Sequence, residues 1–212
     1  MSSASRLRRG TLAERAVQGP AAMPRHRKLV LLRHAKSSWP DVPDQERPLA
    51  RRGVRDAPAV GRWLRMAGHS PDLVLCSTAH RAQQTWQLAA TELPDRPAVL
   101  WDERVYQASA AGLLNLIRQV PPETRILLVV GHDPAIPGLA RMLAAGAMPG
   151  VPADPAASPA PGALDRLSGK FPTAAAAVLD VTVAWPDLGP GQARLEAFVT
   201  PHDNPARARD QH

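Results

Sequence analysis

The sequence predicts an α/β fold, a three-layer α/β/α sandwich with a central, mostly parallel sheet. Four short apolar runs are typical of buried strands, and they lie at Leu29–Leu32, Leu73–Cys76, Ile126–Val130 and Ala176–Val183. Segments with apolar residues at helical spacing separate these runs, and such alternation is typical of a parallel sheet covered on both faces. With 212 residues, of which 44% are hydrophobic, the chain can build one full-sized core.

The helices between the strands are predicted from apolar spacing and from breakers. They are expected over Leu49–Ala67, Ala79–Leu93 and Ala110–Gln119. Pro121 and Pro122 end the third helix, because proline cannot continue the hydrogen-bonding pattern. At the C-terminal end, Val178–Val183 and Arg194–Val199 flank the turn-rich stretch WPDLGPGQ, which predicts a hairpin or a pair of late strands.

One domain, residues 28–201, is expected between two tails. Residues 1–27 carry six arginines against Glu14, which gives +5 of the net charge of +7, and they show little apolar periodicity. We therefore interpret them as a basic flexible tail in which Met23 offers a second start. Residues 146–168 include five prolines and are predicted to be a surface loop or a mobile flap rather than a regular element. Residues 202–212 form the C-terminal tail.

Cysteine usage and charge placement exclude several classes of function. The single cysteine, Cys76, cannot form an internal disulfide or a cysteine-based metal cluster, and it fits a reducing cytoplasm. No apolar run reaches the roughly 18 residues that span a bilayer, so we expect a cytoplasmic protein without a membrane partner. Because the positive charge is concentrated in the tail, nucleic acid is not the expected partner, although binding through that tail stays open as an alternative.

Residues that could bind an anion or take part in catalysis lie at three predicted strand ends. Arg33 and His34 follow the first strand, Arg81 lies just after the second, and His132 follows the third. Because the carboxyl ends of parallel strands share one edge of a sheet, these residues are expected to converge in one crevice. Arginine's planar fork matches phosphate oxygens, and a helix beginning near Ser77 would add its positive end. The pattern therefore predicts a site for a tetrahedral dianion.

The motifs at these strand ends resemble those of a known family. LLRHAKS, STAHRAQQT and VGHDP, in this order, resemble the histidine phosphatase superfamily, which has the phosphoglycerate mutase-like fold. RPLARRG, ERVYQAS and KFPTAAAAVL are similar to segments of its compact SixA-type phosphohistidine phosphatase branch. The resemblance covers Lys28–Pro201, about four-fifths of the chain.

The resemblance implies a role for each of four residues. His34 would be the nucleophile that takes the phosphoryl group on an imidazole nitrogen, and water would then hydrolyse this intermediate. Arg33, Arg81 and His132 would bind the phosphoryl oxygens. Neutral imidazole is a competent nucleophile near pH 7, and nearby cations disfavour its protonation. Phosphoryl transfer depends mainly on positioning and electrostatic stabilisation, so no metal or other cofactor is expected.

The general acid is left open by the sequence. Larger members of the superfamily place a carboxylate where it protonates the leaving oxygen, and Glu103 is the corresponding candidate here, with Asp102 beside it. Asp41, in the loop after the predicted nucleophile, is a second candidate. The SixA-type branch lacks a clear equivalent of this acid. An imidazole leaving group departs more readily than an alkoxide and needs less protonation, so the lack of a clear acid favours phosphoramidate or activated phosphate substrates.

Several residues near the motifs admit two interpretations. Ser77 and Thr78 could donate to phosphate or cap the following helix. Arg47 could make a structural salt bridge or line the rim of the pocket. His80 is interpreted as a histidine on a helix surface, and His69 as a solvated one.

The favoured function is a metal-independent phosphatase that removes the phosphoryl group from phosphohistidine on a protein. The alternatives are a small-molecule phosphomonoesterase of the same superfamily and a non-catalytic phosphate-binding module. The expected partner is accordingly a phosphorylated protein or a small phosphorylated substrate.

Overall fold

A six-stranded mixed sheet forms the centre of the protein. The computed structural model describes residues 26–145, 162–201 and 203. The strands are β1 Arg27–Arg33, β2 Leu73–Ser77, β3 Ala98–Asp102, β4 Ile126–Gly131, β5 Ala176–Val181 and β6 Ala193–Val199. Their order in the sheet is β3-β2-β4-β1-β5-β6, and the first four are parallel, whereas β5 and β6 are antiparallel to their neighbours. The predicted α/β class, the mostly parallel sheet and the C-terminal hairpin are confirmed.

Helices cover both faces of the sheet. They are α1 Arg51–Met66, α2 His80–Ala90, α3 Ala110–Ile117, α4 Ala135–Ala144 and α5 Ala163–Ser168. The three predicted helices are confirmed: α3 begins at the predicted residue, and the other ends are shorter by one to three residues. Helix α4 was not predicted, because Pro137 and Gly138 interrupt its pattern. Pro137 is tolerated in the first turn, where its missing N–H would have had no partner within the helix.

The core is divided by the sheet into two apolar clusters. Along β1, Leu29 and Leu31 join one cluster, whereas Val30 and Leu32 join the other, because successive side chains point to opposite faces of a strand. Helices α1 and α2 pack on the second cluster, and α3, α4 and α5 pack on the first. All four of these β1 residues are fully buried, which explains why the strand is a continuous apolar run.

Two predicted boundaries are corrected by the structure. Arg27, assigned to the tail, is the first residue of β1, and residues 1–25 lie outside the described part of the chain. The segment 146–168 was predicted to lack regular structure, but its last six residues form α5. No proline follows Pro161 there, and Ala163 and Leu167 lie one turn apart and are buried in the core. Residues 146–161 lie outside the described residues, as does the C-terminal tail except for Asp203.

Strand β3 was missed because it lies at the edge of the sheet. Its sequence, AVLWD, leaves Leu100 46% and Trp101 44% exposed, so neither a buried run nor an alternating pattern identifies it. Every helix in the described part of the chain is too short or too polar to traverse a lipid bilayer.

The close packing of α1 on α2 depends on Gly61. An added Cβ at this position would lie 2.0 Å from the Ala89 carbonyl oxygen, which belongs to the backbone of α2. We expect Gly61→Ala to lower the free energy of unfolding by about 2 kcal/mol, because the helices must separate. Urea denaturation measures this change. Gly112→Ala is the control, since its Cβ would meet nothing closer than 3.5 Å, and equal stability of the two variants would contradict the packing account.

Candidate active site

The parallel strands place the predicted site residues at one edge of the sheet. Arg33, the last residue of β1, lies opposite Gly131, the last residue of β4. The backbone N–H of His34 then donates to the Gly131 carbonyl at 3.0 Å, so the first residue beyond β1 is fixed against the end of β4. Arg81 lies in the first turn of α2, directly beyond β2. The structure therefore brings the three predicted strand ends together.

The His34 ring is buried and held in one orientation. Its exposed fraction is 8%, and Nδ1 lies 2.7 Å from the Ala35 carbonyl oxygen, which can only accept a hydrogen bond. Nδ1 therefore carries the proton, and Nε2 carries the lone pair. Burial is the main cause that lowers the pKa of His34 to about 4, and the charges of Arg81 and Arg33 also lower it, while the bond to Ala35 acts in the opposite direction. The ring is neutral at pH 7, as a nucleophile requires.

His132 lies beside His34 and is also neutral. The two ring centroids are 5.1 Å apart, and the planes are inclined by 53°. Burial, followed by the neighbouring His34 and the charge of Arg81, lowers the pKa of His132 to about 3. Its Nε2 lies 2.8 Å from Ser77 Oγ, whereas its Nδ1 is buried and has no hydrogen-bond partner among the described residues.

Arg33 is fixed by two oxygen partners. Its Nη1 donates to the Phe171 carbonyl at 2.7 Å and pairs with Asp133 Oδ2 at 2.9 Å. Phe171 belongs to the KFPTA stretch, in which Ala174 has a φ of 60° and donates its N–H to the carbonyl of His34 at 3.1 Å. This stretch therefore holds both Arg33, through the Phe171 carbonyl, and His34, through the Ala174 N–H.

Arg81 is anchored by Asp44, a residue that the sequence analysis did not identify. Arg81 donates from Nη1 to the Asp44 carbonyl oxygen at 2.6 Å and from Nη2 to Asp44 Oδ2 at 2.9 Å. The same Oδ2 accepts from the Tyr106 hydroxyl at 2.7 Å, and Oδ1 accepts from Arg47 Nη1 at 2.7 Å. Hydrogen bonds from Tyr106 and Arg47, the largest causes, hold the pKa of Asp44 well below its usual range. Asp44 is therefore an anionic anchor rather than a proton donor.

Arg47 organises the loop that carries Asp44. Besides the bond to Asp44, it donates to the Ser38 carbonyl at 3.0 Å and to Ser37 Oγ at 2.8 Å, and its guanidinium carbon lies 3.1 Å from the centroid of the Trp39 ring. Only 6% of Arg47 is exposed. Of its two interpretations, the structural salt bridge is confirmed.

The three candidate general acids make no hydrogen bond or ion pair with Arg33, His34, Arg81 or His132 among the described residues. The Asp102 carboxylate pairs with Arg104 at 2.6 Å, and hydrogen bonds from this arginine lower the pKa of Asp102. Glu103 is exposed, and within the described residues its side chain makes no hydrogen bond or ion pair with Arg33, His34, Arg81 or His132. Asp41 is also exposed, in the loop after β1.

The polar residues at the start of α2 are used differently from the predicted cap. The N-cap residue is Ala79, and no side chain caps the helix, so the capping interpretation of Ser77 and Thr78 is wrong. Ser77 Oγ accepts from the Ala79 N–H at 3.2 Å, and Thr78 Oγ1 accepts from Gln45 at 3.2 Å. His80 is exposed as predicted.

His69 was predicted to be solvated, and this is wrong, since it is 6% exposed and packs against the Trp63 ring. Across residues 26–145, 162–201 and 203, no group of three or more His, Cys, Asp or Glu side chains is arranged to hold a metal ion.

Comparisons with known proteins identify the family of the chain. The model of the histidine phosphatase superfamily (branch 1) matches residues 29–104. The uncharacterized protein Rv1276c of Mycobacterium tuberculosis is 42% identical over 171 residues, which are 80% of this chain and 99% of that protein.

Two solved structures extend the comparison. The structure of a candidate phosphohistidine phosphatase SixA from Nakamurella multipartitia has a TM-score of 0.69 at 35% identity and covers 83% of this chain and 96% of its own. A candidate SixA of Agrobacterium tumefaciens has a TM-score of 0.64 at 26% identity, over 82% of this chain and 98% of its own. Sequence motifs, fold and relatives agree, and the chain belongs to the histidine phosphatase superfamily, a family of phosphatases.

Proposed function

We propose that the protein is a metal-independent phosphatase that works through a phosphohistidine intermediate on His34. The observation that carries this proposal is the neutral His34 ring, whose proton is held on Nδ1 by the Ala35 carbonyl, in a site that also contains Arg33, Arg81 and His132. A lone pair on Nε2 beside cationic and donor groups is the arrangement that phosphoryl transfer to imidazole requires.

The proposed reaction has two steps, transfer of the phosphoryl group to His34 and its hydrolysis by water. In the first, His34 Nε2 attacks phosphorus, the bond to the leaving group breaks, and the leaving group departs with its electron pair. The phosphorylated imidazole keeps its Nδ1 proton and becomes cationic, which the Ala35 carbonyl stabilises through the hydrogen bond at 2.7 Å. In the second, a water oxygen attacks phosphorus, the N–P bond breaks, and its electron pair returns to Nε2. Inorganic phosphate leaves, and the proton lost by water passes to solvent.

Phosphohistidine on a protein is the substrate class that we propose. Among the described residues, the carboxylates that contact the site arginines are held in ion pairs: Asp44 is bound by Arg47, Arg81 and Tyr106, and Asp133 pairs with Arg33. Asp102 is paired with Arg104. An imidazole leaving group depends less on a proton donor than an alkoxide does. The similarity to the Nakamurella protein, a candidate phosphohistidine phosphatase, supports this choice.

Comparison of leaving groups tests the proposal. We would measure kcat/KM of the wild type in the presence of a chelator with a phosphohistidine-bearing protein, p-nitrophenyl phosphate and an alkyl phosphate. We expect kcat/KM to be highest for the phosphohistidine protein and lowest for the alkyl phosphate. A preference for the alkyl phosphate would favour the small-molecule phosphomonoesterase, whereas binding of all three without turnover would favour a phosphate-binding module.

Glu103 provides a second test of the same point. Because it is exposed and unpaired with the described site residues, we expect Glu103→Gln to change kcat/KM for the phosphohistidine protein by less than about threefold. Glu123→Gln, another exposed carboxylate, is the control. A fall of about a hundredfold in Glu103→Gln alone would identify Glu103 as the general acid.

A further inference from the structure

The buried hydroxyl group of Ser77 needs an acceptor for its hydrogen. This residue is fully buried, so water cannot reach its hydroxyl group. Its oxygen already accepts the Ala79 N–H at 3.2 Å. The hydroxyl hydrogen still needs an acceptor, because a buried polar group without a partner costs free energy. Among the described residues, the acceptor within reach is Nε2 of His132 at 2.8 Å.

We propose that Ser77 is a positioning residue that holds the neutral His132 ring as the Nδ1–H tautomer, so that Nδ1–H donates to a phosphoryl oxygen. When the Ser77 hydroxyl donates to Nε2, this nitrogen must carry the lone pair, and the single ring proton of the neutral imidazole lies on Nδ1. The tautomer assignment follows from the contacts alone. The role toward phosphate rests on the proposed function.

The opposite tautomer conflicts with the same contacts. If Nε2 carried the proton and donated to Ser77, the buried hydroxyl hydrogen would have no acceptor among the described residues. Nδ1 would then present a lone pair instead of a proton, and a lone pair repels phosphoryl oxygens. Both consequences are unfavourable, so the Nδ1–H form is the one that satisfies the structure.

The unpaired Nδ1 of His132 agrees with a donor that is reserved for a ligand. It is buried and has no hydrogen-bond partner among the described residues, while the His34 ring centroid lies 5.1 Å from its own. A phosphoryl group transferred to His34 would place an acceptor oxygen in this region and satisfy the donor.

The two histidines therefore have the same tautomer, but His34 presents a lone pair to the phosphoryl group and His132 presents an N–H donor. The Ala35 carbonyl accepts from Nδ1 of His34 and leaves a nucleophilic lone pair on Nε2. The Ser77 hydroxyl donates to Nε2 of His132 and leaves a donor on Nδ1. One ring can attack phosphorus while the other stabilises the charge on its oxygens.

Nitrogen-15 NMR of the histidine side chains tests the assignment directly in the full-length wild type at pH 7. The His132 signals are assigned by comparison with the spectrum of His132→Gln. We expect a protonated Nδ1 and an unprotonated Nε2. A protonated Nε2 would overturn the proposal, and this measurement does not depend on enzymatic activity.

Ser77→Ala adds a functional readout. Without the hydroxyl donor, we expect the His132 signals to shift toward the Nε2–H form and the Kd of orthovanadate to rise about tenfold, as for the loss of a hydrogen bond to a charged ligand. Thr124→Val removes another buried hydroxyl, at the opposite end of β4, and should change neither quantity. An unchanged tautomer and an unchanged Kd in Ser77→Ala would overturn the proposal. Failure of the wild type to bind orthovanadate would contradict the proposed function instead, and the tautomer would still decide the role of Ser77.

Discussion

Replacement of His34 by alanine is expected to reduce turnover of the phosphohistidine protein by at least about a thousandfold, since the proposed covalent route loses its nucleophile. The buried, neutral ring has no substitute at the site: His132 lies beside it, but its Nε2 is occupied by Ser77. We would quench the reaction rapidly and search for an acid-labile phosphoryl adduct by mass spectrometry. The wild type should carry the adduct on the peptide that contains His34, and His34→Ala should carry none.

The control for this experiment is His26→Ala, an exposed histidine that pairs with Asp180 at 3.7 Å. It should retain wild-type turnover and the adduct. Orthovanadate binding by His34→Ala distinguishes loss of chemistry from loss of the anion site, because Arg33, Arg81 and His132 remain. Residual turnover within tenfold of the wild type would exclude the covalent mechanism.

Three of the residues that the sequence predicted lie at the end of an apolar strand. Arg33 is the last residue of β1, His34 directly follows it and His132 directly follows β4, and parallel pairing alone brings these three to the same edge. Apolar runs report burial on both faces of a strand, and the order of the strands then fixes which ends meet. This part of the site could therefore be predicted without coordinates.

The contacts that the sequence analysis missed join residues that are far apart in the sequence. Asp44 anchors Arg81 from 37 positions away, and Ser77 contacts His132 from 55 positions away. Neither contact leaves a periodic pattern in the sequence. Asp44 lies between β1 and α1, and Ser77, the last residue of β2, is brought to His132 by the parallel pairing of β2 with β4. The Asp44–Arg47 spacing in the DQERPLA stretch was the available signal, but an exposed loop carboxylate resembles any solvated one. The edge strand β3 was not predicted because most of its side chains are exposed, and an exposed strand has no apolar pattern in the sequence.

Carboxylates offset part of the positive charge of the site in the described structure. Arg33 pairs with Asp133, and Arg81 and Arg47 share Asp44. These partners hold the planar guanidinium groups in place and so reduce the side-chain freedom that would be lost when a phosphoryl group binds. Residues 1–27 contribute +5 of the net charge of +7, so the net charge says little about the site.

The geometry of Arg81, more than its charge, should therefore decide its contribution. We expect Arg81→Lys to lower kcat/KM for the phosphohistidine protein about a hundredfold, because lysine keeps the charge but cannot bond Asp44 through two nitrogens while facing a phosphoryl oxygen. Steady-state kinetics and orthovanadate binding measure the effect. Arg166→Lys is a matched control, since Arg166 also joins a carboxylate and a backbone carbonyl, Asp203 and Phe198, and should retain activity. If Arg81→Lys retained wild-type kcat/KM, positive charge alone would suffice at this position, and the anchoring by Asp44 would have no catalytic consequence.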